Sequence, residues 1–266
     1  MSMSIGCVGC GNMGGAILAG LAASSLDCTL YGHTRTAARM APLEAAGVTR
    51  LDSARELARK ARYVVMAVKP YQIEALLAEM APEFGPDTVV ISVAAGISIA
   101  RLQAAVAGRC PVVRCMPNTP ALVGKGVFAL CFDDKVPAES KEDILRFFSR
   151  LGVCLELPES RFTAFSALIG AGPAYVFGMM QGLVQAGVTL GLGRKDCRDM
   201  VAALFEGSAV MAARSDTPLM ELRDQVCSPG GLTIAGVNVL DRAGLSGLLV
   251  DAVLAADERG REMEKE

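Results

Sequence analysis

A change of rhythm near Pro158 constrains this chain more than any other feature. Before it, short runs of β-branched and apolar residues alternate with amphipathic stretches. Residues 4–8, 28–32, 63–68, 88–93, 112–115, 127–132 and 153–157 read as strands. Runs such as 63–68 and 88–93 are apolar without alternation, which marks strands covered on both faces. Helical patterns at 12–23, 36–46 and 53–61 lie between them, the last opened by Ser53 with Glu56 three residues on, a capping box. Such alternation builds a doubly wound, mainly parallel sheet of Rossmann type. After Pro158 no strand pattern remains, and 162–169, 173–190, 194–214, 219–226, 233–242 and 246–264 read as helices. The expectation is an α/β domain over 1–158 and an all-α domain over 159–266, and 266 residues suit two modest domains.

Composition narrows the function. Lys and Arg total 26 against 28 Asp and Glu, with no basic stripe, so no nucleic-acid partner is expected. The single histidine, His33, argues against His-based metal sites and Ser-His-Asp triads, and no metal is expected. Nine scattered cysteines, an odd number, read as buried apolar residues in a reduced, cytoplasmic compartment. Cys7 and Cys10 form a C-x-x-C, but no second pair follows at zinc spacing. Residues 16–23 are apolar, yet no Lys or Arg precedes them as a secretory leader requires. Residues 162–193 carry no formal charge and are long enough to span a bilayer. Pro173, several glycines, Gln181 and Gln185 interrupt them, so a helix buried in a domain or subunit interface is expected, not a membrane span. Gly178 with Gly182 and Gly187 with Gly191 would let helices approach closely, within the chain or across an intertwined dimer, which is the favoured reading.

Gly9-Cys10-Gly11-Asn12-Met13-Gly14 is G-x-G-x-x-G, placed between a strand and a helix as dinucleotide binding requires. Gly9 permits the tight turn, Gly11 lets a pyrophosphate approach the backbone, and Gly14 lets the helix pack on the strand. The free amides at the helix start, including Asn12 and Met13, then face the anion. At the end of the second strand an NAD site usually places an acid, but this chain has Gly32-His33-Thr34-Arg35-Thr36. Thr34, Arg35 and Thr36 can surround a 2′-phosphate, so NADPH is expected, with NADH at lower preference. His33 reads as a spacer or an adenine-stacking group.

Together these blocks resemble the pyrroline-5-carboxylate reductase family. The resemblance starts with residues 5–14 and continues through Ala67-Val68-Lys69-Pro70, Ser92-Val93-Ala94-Ala95-Gly96-Ile97-Ser98 and Arg114-Cys115-Met116-Pro117-Asn118-Thr119-Pro120. Gly170-Ala171-Gly172-Pro173-Ala174-Tyr175 follows, and residues 222–236, with Ser228-Pro229-Gly230-Gly231-Leu232-Thr233, are the most specific block. The resemblance implies NADPH-dependent reduction of the cyclic imine 1-pyrroline-5-carboxylate to L-proline, by a homodimer that often assembles as a ring of five dimers. It implies that Ala67, Val68, Lys69 and Pro70, with Ala94, Ala95 and Gly96, line the ribose and nicotinamide side of the cofactor. It also implies that Ser228, Gly230, Gly231 and Thr233 hold the substrate, with the Thr233 hydroxyl on the ring nitrogen as the catalytic contact.

By its residues alone, Ser228–Gly231 reads equally as a helix–helix turn or as an anion-binding turn of backbone amides. Ala54, Ala171 and Leu232 stand where the family commonly has Asn, Ser and a smaller or polar residue. A related cyclic imine reductase is the nearest alternative. A hydroxyacid dehydrogenase would want a catalytic lysine in the helical part, which between 159 and 264 holds only Lys195. A non-catalytic NADPH-sensing protein would have no need of Ser228–Thr233.

Overall fold

A computed structural model describes residues 3–264. The first part runs β1 (Met3–Val8), α1 (Asn12–Ala22), β2 (Cys28–His33), α2 (Ala41–Ala45), β3 (Thr49–Arg50), α3 (Ala54–Lys60), β4 (Tyr63–Met66) and α4 (Pro70–Met80). It continues with β5 (Val89–Ser92), α5 (Ile99–Ala105), β6 (Val112–Met116), β7 (Gly126–Phe132), α6 (Ala138–Phe148) and β8 (Gly152–Glu156). These strands form one eight-stranded sheet in the order β3-β2-β1-β4-β5-β6-β7-β8. Every neighbouring pair is parallel except β6 and β7. A parallel return needs a crossover of a dozen or more residues. The β6–β7 link is too short for one, and is a 3₁₀ turn, Thr119–Val123, closed by Gly124 at φ 68. From β1 the chain steps outward to β2 and then returns to β4 on the other side, so β1 and β4 flank the switch point where such sheets bind ligands.

Both faces of the sheet are covered. Ile5, Ile17, Leu18, Phe128, Phe147 and Phe148 belong to one core, and Leu57, Val64, Met66, Ile73 and Leu77 to the other. Val64, Val65, Val90 and Ile91 are wholly buried, which is why their runs show no alternation. At the outer edge Gly126 and Gly152 face each other, and a Cβ on Gly152 would lie 1.9 Å from the Gly126 carbonyl oxygen.

Two local features depart from the sequence reading. The helix expected over 36–46 is a 3₁₀ turn, Ala37–Arg39, followed by the short α2, with Pro42 in its first turn. Strand β3 was not foreseen, since both its residues are exposed and it carries no apolar signal. At α3, Ser53 Oγ accepts from the Glu56 amide at 3.1 Å as expected. Glu56 reaches the Asp52 amide at 3.2 Å, one residue ahead of the cap.

The helical part contains α7 (Phe162–Phe165), a π turn (Ser166–Gly170), α8 (Gly172–Thr189), α9 (Arg194–Ala213), α10 (Leu219–Gln225), α11 (Leu232–Arg242) and α12 (Leu245–Met263). The last strand ends at Glu156, while packing divides the chain after Ala171, and residues 257–264 also belong to the first compact unit. Phe162 and Phe165 explain the shift, because they cluster with Ala129 of β7. Residues 265–266 of the expected charged end lie outside the described residues.

In the second unit, Gly172–Ala256, α8 packs on α9 through Val184, Cys197 and Val201. The glycine pairs divide. A Cβ on Gly187 would lie 2.6 Å from Cys197 Sγ, so this glycine serves packing within the chain. Gly191 lies beyond the helix at φ 91 and makes a turn, which corrects its reading as part of a helix face. Gly178 and Gly182 have no neighbour within 4 Å of a built Cβ. Phe177, Leu183, Leu204, Met211 and Leu254 are exposed. The stretch Glu159–Thr189, of 31 residues, holds 18 consecutive residues of mean hydropathy 1.4 and is long and apolar enough to cross a membrane by length and composition.

Candidate functional site

A cleft of about 1100 Å³ opens at the carboxyl edge of the sheet, at the ends of β1, β2, β4 and β5. Its floor is the glycine loop. Gly9 sits at φ 97 and donates its amide to the His33 carbonyl at 2.8 Å, and a Cβ there would lie 2.7 Å from the Ala67 carbonyl oxygen. Gly11 caps α1 with no side-chain hydrogen bond at the cap, so the first amides of that helix remain for a ligand. Gly14 lies beneath the loop, where a Cβ would be 2.2 Å from the Gly9 carbonyl oxygen.

The expected cofactor residues Gly9, Gly11, Asn12, Met13, His33, Thr34, Arg35, Ala67, Val68, Lys69, Pro70, Ala94 and Ala95 all line the cleft. Gly14 and Gly96 do not. Gly14 acts through packing, as the motif implies, and Gly96, at φ 76, turns the chain towards α5. Arg39, which the sequence reading passed over, also lines the cleft, and its Nη1 lies 3.2 Å from where a Cβ on Gly11 would sit. Its signal was its place one helical turn beyond Arg35. Neither guanidinium has an ion pair among the described residues. The end of β2 thus offers cations and hydroxyls, and the carboxylates in the lining are Asp52 and Glu79, on other elements.

Two groups in this region are fixed by hydrogen bonds. The His33 Nδ1 bonds the Leu51 carbonyl at 3.0 Å, and since a carbonyl only accepts, Nδ1 carries the proton there. The Cys7 thiol is pushed well above its usual range, first by its hydrogen bond with Cys10 and then by burial. All nine cysteines are free.

The second candidate group, Ser228 to Thr233, lies in the other compact unit. Gly230 is at φ 69, and the Gly231 amide donates to the Ser228 carbonyl at 3.0 Å. Gly231 then caps α11 with no side-chain hydrogen bond, leaving amides of the first turn without partners in the helix. A Cβ on Gly231 would lie 2.2 Å from Ser228 Oγ, so glycine here keeps the Ser228 hydroxyl in place. Ser228, Gly230 and Thr233 are exposed, and Leu232 is 96% exposed. The arrangement suits a small anion bound by main-chain amides, with a hydroxyl at hand.

Asn118 ties β7 to the π turn of the helical part. Asn118 is buried. Its Oδ1 accepts from the Val127 amide at 2.9 Å, and its Nδ2 donates to the Ile169 carbonyl at 3.3 Å, in the π turn before Gly170.

Comparison with known proteins agrees with this geometry. A family model described as pyrroline-5-carboxylate reductase dimerisation matches residues 159–263, and one described as NADP oxidoreductase coenzyme F420-dependent matches residues 4–96. The pyrroline-5-carboxylate reductase of Corynebacterium melassecola is 35% identical over 98% of this chain and 99% of its own. That of Escherichia coli is 33% identical over the whole of both. Among solved structures, the enzyme of Coxiella burnetii superposes with a TM-score of 0.91 at 30% identity, covering 99% of each chain. The enzyme of Plasmodium falciparum, solved with NADP bound, gives 0.87 at 31% identity over 98% of each chain. With a glycine-floored cleft that carries cations at the end of β2, and relatives alike along its whole length, the chain belongs to the pyrroline-5-carboxylate reductase family.

Proposed function

We propose that this chain reduces 1-pyrroline-5-carboxylate to L-proline with NADPH by holding both molecules largely through its backbone. The bare first turn of α11, shaped by Gly230 and Gly231, carries the substrate half of this reading. Its amides, with the Ser228 hydroxyl, receive the carboxylate, and no charged side chain is needed. The Thr233 hydroxyl holds the ring nitrogen and orients the C=N bond.

The cleft fits the dinucleotide. Gly9 and Gly14 leave room that any side chain would fill, and the amides at Asn12 and Met13 suit the pyrophosphate. Thr34 and Arg35 hold the 2′-phosphate, with His33 at the adenosine side. Ala67, Val68, Lys69 and Pro70, with Ala94, Ala95 and Gly96, shape the ribose and nicotinamide end. When bound, the dinucleotide would supply a hydride to the imine carbon, and the ring nitrogen would take its proton from water relayed through the Thr233 hydroxyl. A cyclic imine is already electrophilic, so these residues contribute mainly alignment, which lowers barriers by roughly 7–11 kcal/mol in well-oriented systems. No general-acid histidine is required, and the only histidine is engaged with Leu51.

The helical domain is read as the seat of a homodimer, in which the exposed apolar side chains of α8 and α9 meet a second copy and not lipid. Five dimers close into a ring on the resemblance alone. A cytoplasmic location accords with the nine free cysteines.

The direct test is NADPH oxidation with pyrroline-5-carboxylate, with L-proline identified as product and six-membered and sulfur-containing imines in competition. Preferred turnover of either competitor would replace the substrate assignment. Cofactor choice has its own test. A charge-assisted hydrogen bond contributes about 1.5–3 kcal/mol, so Arg35→Ala raises the KM for NADPH roughly 10- to 100-fold. The KM for NADH stays nearly constant. Equal changes for both cofactors would remove Arg35 from the 2′-phosphate.

A further inference from the structure

We propose that Arg114 and Glu159 are positioning residues that set the shape of the loop holding the nicotinamide end of the dinucleotide. This rests on the reading of Ala94, Ala95 and Gly96 given above. The loop runs from β5 to α5, and its lining residues Val93, Ala94 and Ala95 bring only small apolar side chains to the cleft. It can therefore hold a ligand only through its backbone and its contour, and that contour has to be set from behind.

Both ends of the loop lead to one residue, the near end through its backbone and the far end through its guanidinium. At the near end, Arg114 on β6 stands in register with Ser92, the last residue of β5, and Ser92 Oγ accepts from the Ala94 amide at 3.3 Å. At the far end, the Ile99 amide, first in α5, donates to Glu159 Oε1 at 2.7 Å. That same oxygen takes Arg114 Nη1 at 3.0 Å. The Arg114 side chain is 7% exposed and its guanidinium lies 4.7 Å from the centre of the Phe162 ring. A charge so placed is costly unless paired, and one broken partner leaves the other stranded. The guanidinium is therefore held, and through Glu159 it holds the start of α5.

The network carries its own control. Arg114 Nη2 also faces Glu264 at 3.4 Å, and the same Glu264 oxygen accepts from Thr163 Oγ1 at 2.8 Å. Glu264 thus shares the cation but bonds no loop residue among the described contacts. If the pair merely stabilised the fold, the two carboxylates would matter alike. If it positions the loop, only Glu159 reaches the ligand.

The test uses the full-length protein and two probes, NADP⁺ and 2′-phospho-ADP-ribose, which lacks the nicotinamide. Glu159→Ala is expected to weaken NADP⁺ about 10-fold, of the order seen when a supporting hydrogen-bond partner is lost, and to leave 2′-phospho-ADP-ribose unchanged. Glu159→Gln, whose amide oxygen still accepts from Ile99, restores most of the loss. Glu264→Ala alters neither affinity. Ile99→Pro removes the donor and also trims a half-buried side chain that packs on the second core, so Ile99→Ala, which keeps the amide, is its control and binds both probes like the parent. The proline sits at the first position of α5, where it is tolerated, after Ser98 in the extended backbone that proline favours. Ile99→Pro reproduces the selective loss even if Glu159→Ala does not fold. Equal weakening of both probes, a lowered Tm with unchanged affinities, or a Glu264→Ala effect matching that of Glu159→Ala would overturn the proposal. Binding of these probes does not depend on which imine is reduced, so the substrate assignment stands or falls separately.

Discussion

Gly14→Ala binds NADPH at least about 100-fold more weakly than the parent, a loss of roughly 2.7 kcal/mol, while Gly15→Ala binds normally. The difference lies in what each methyl would meet. At Gly14 it lands 2.2 Å from the Gly9 carbonyl oxygen, 2.8 Å from Cys7 Sγ and 2.9 Å from the Ala67 Cβ. The first of these is backbone and cannot swing aside. Gly9 is already held at φ 97 and tied to His33, so relief requires the loop to lift off the sheet, and the amides at the start of α1 lose their aim. At Gly15 the nearest atom is 3.8 Å away, an ordinary contact. The pair of variants separates loop geometry from helix propensity, since both replace a helical glycine by the better helix former. Fluorescence titration with NADPH reads the effect, and far-UV circular dichroism confirms that Gly14→Ala is folded. A folded Gly14→Ala protein with parental affinity would mean that the dinucleotide does not use this loop.

Thr233→Val lowers kcat about 100-fold, the lower end of what a well-placed hydrogen-bonding group contributes to proton handling, with the KM for NADPH unchanged. Valine keeps the volume and branching of threonine and removes only the hydroxyl. Thr233 is exposed in the first turn of α11 and is not part of a packed core, so the fold has little stake in the hydroxyl. Its loss leaves the carboxylate on the amides but lets the ring turn, and the C=N bond loses its orientation. Thr233→Ser, which retains the hydroxyl, restores most of the rate. If Thr233→Val turned over at the parental rate and affinity, the nitrogen contact would belong to another group.

The strands of the sheet interior were readable because burial on both faces leaves uninterrupted apolar runs, as in Val64, Val65, Val90 and Ile91. Strand β3 was not, because two exposed residues at the sheet margin carry no such imprint. The reversed direction of β7 was recoverable in principle, from a connection too short to cross the sheet. The extent of the first compact unit was hidden, because Phe162 and Phe165 have helical spacing whichever unit they pack on. In the site, the glycine motif was legible because each of its glycines answers a separate steric demand. Arg39 was missed, since four residues after Arg35 it looks like a solvated side chain of the following turn until the fold brings it over Gly11. Ser228–Gly231 had no unique reading from its residues, because turns before helices use the same types with or without a ligand. The Arg114–Glu159 pair was invisible, because its partners are far apart in sequence.

The facing glycines at the outer rim of the sheet fix how the last strand can lie. Gly152 approaches the Gly126 backbone so closely that it tolerates no side chain at the crossing, while a side chain on Gly126 would meet Ala121 and Phe128. Sliding β8 by one residue would bring Val153 to that crossing and turn Cys154 away from the core it packs against. After any local opening, the rim therefore closes in a single alignment, and a foreign strand that lacks glycine at this point finds no equivalent seat.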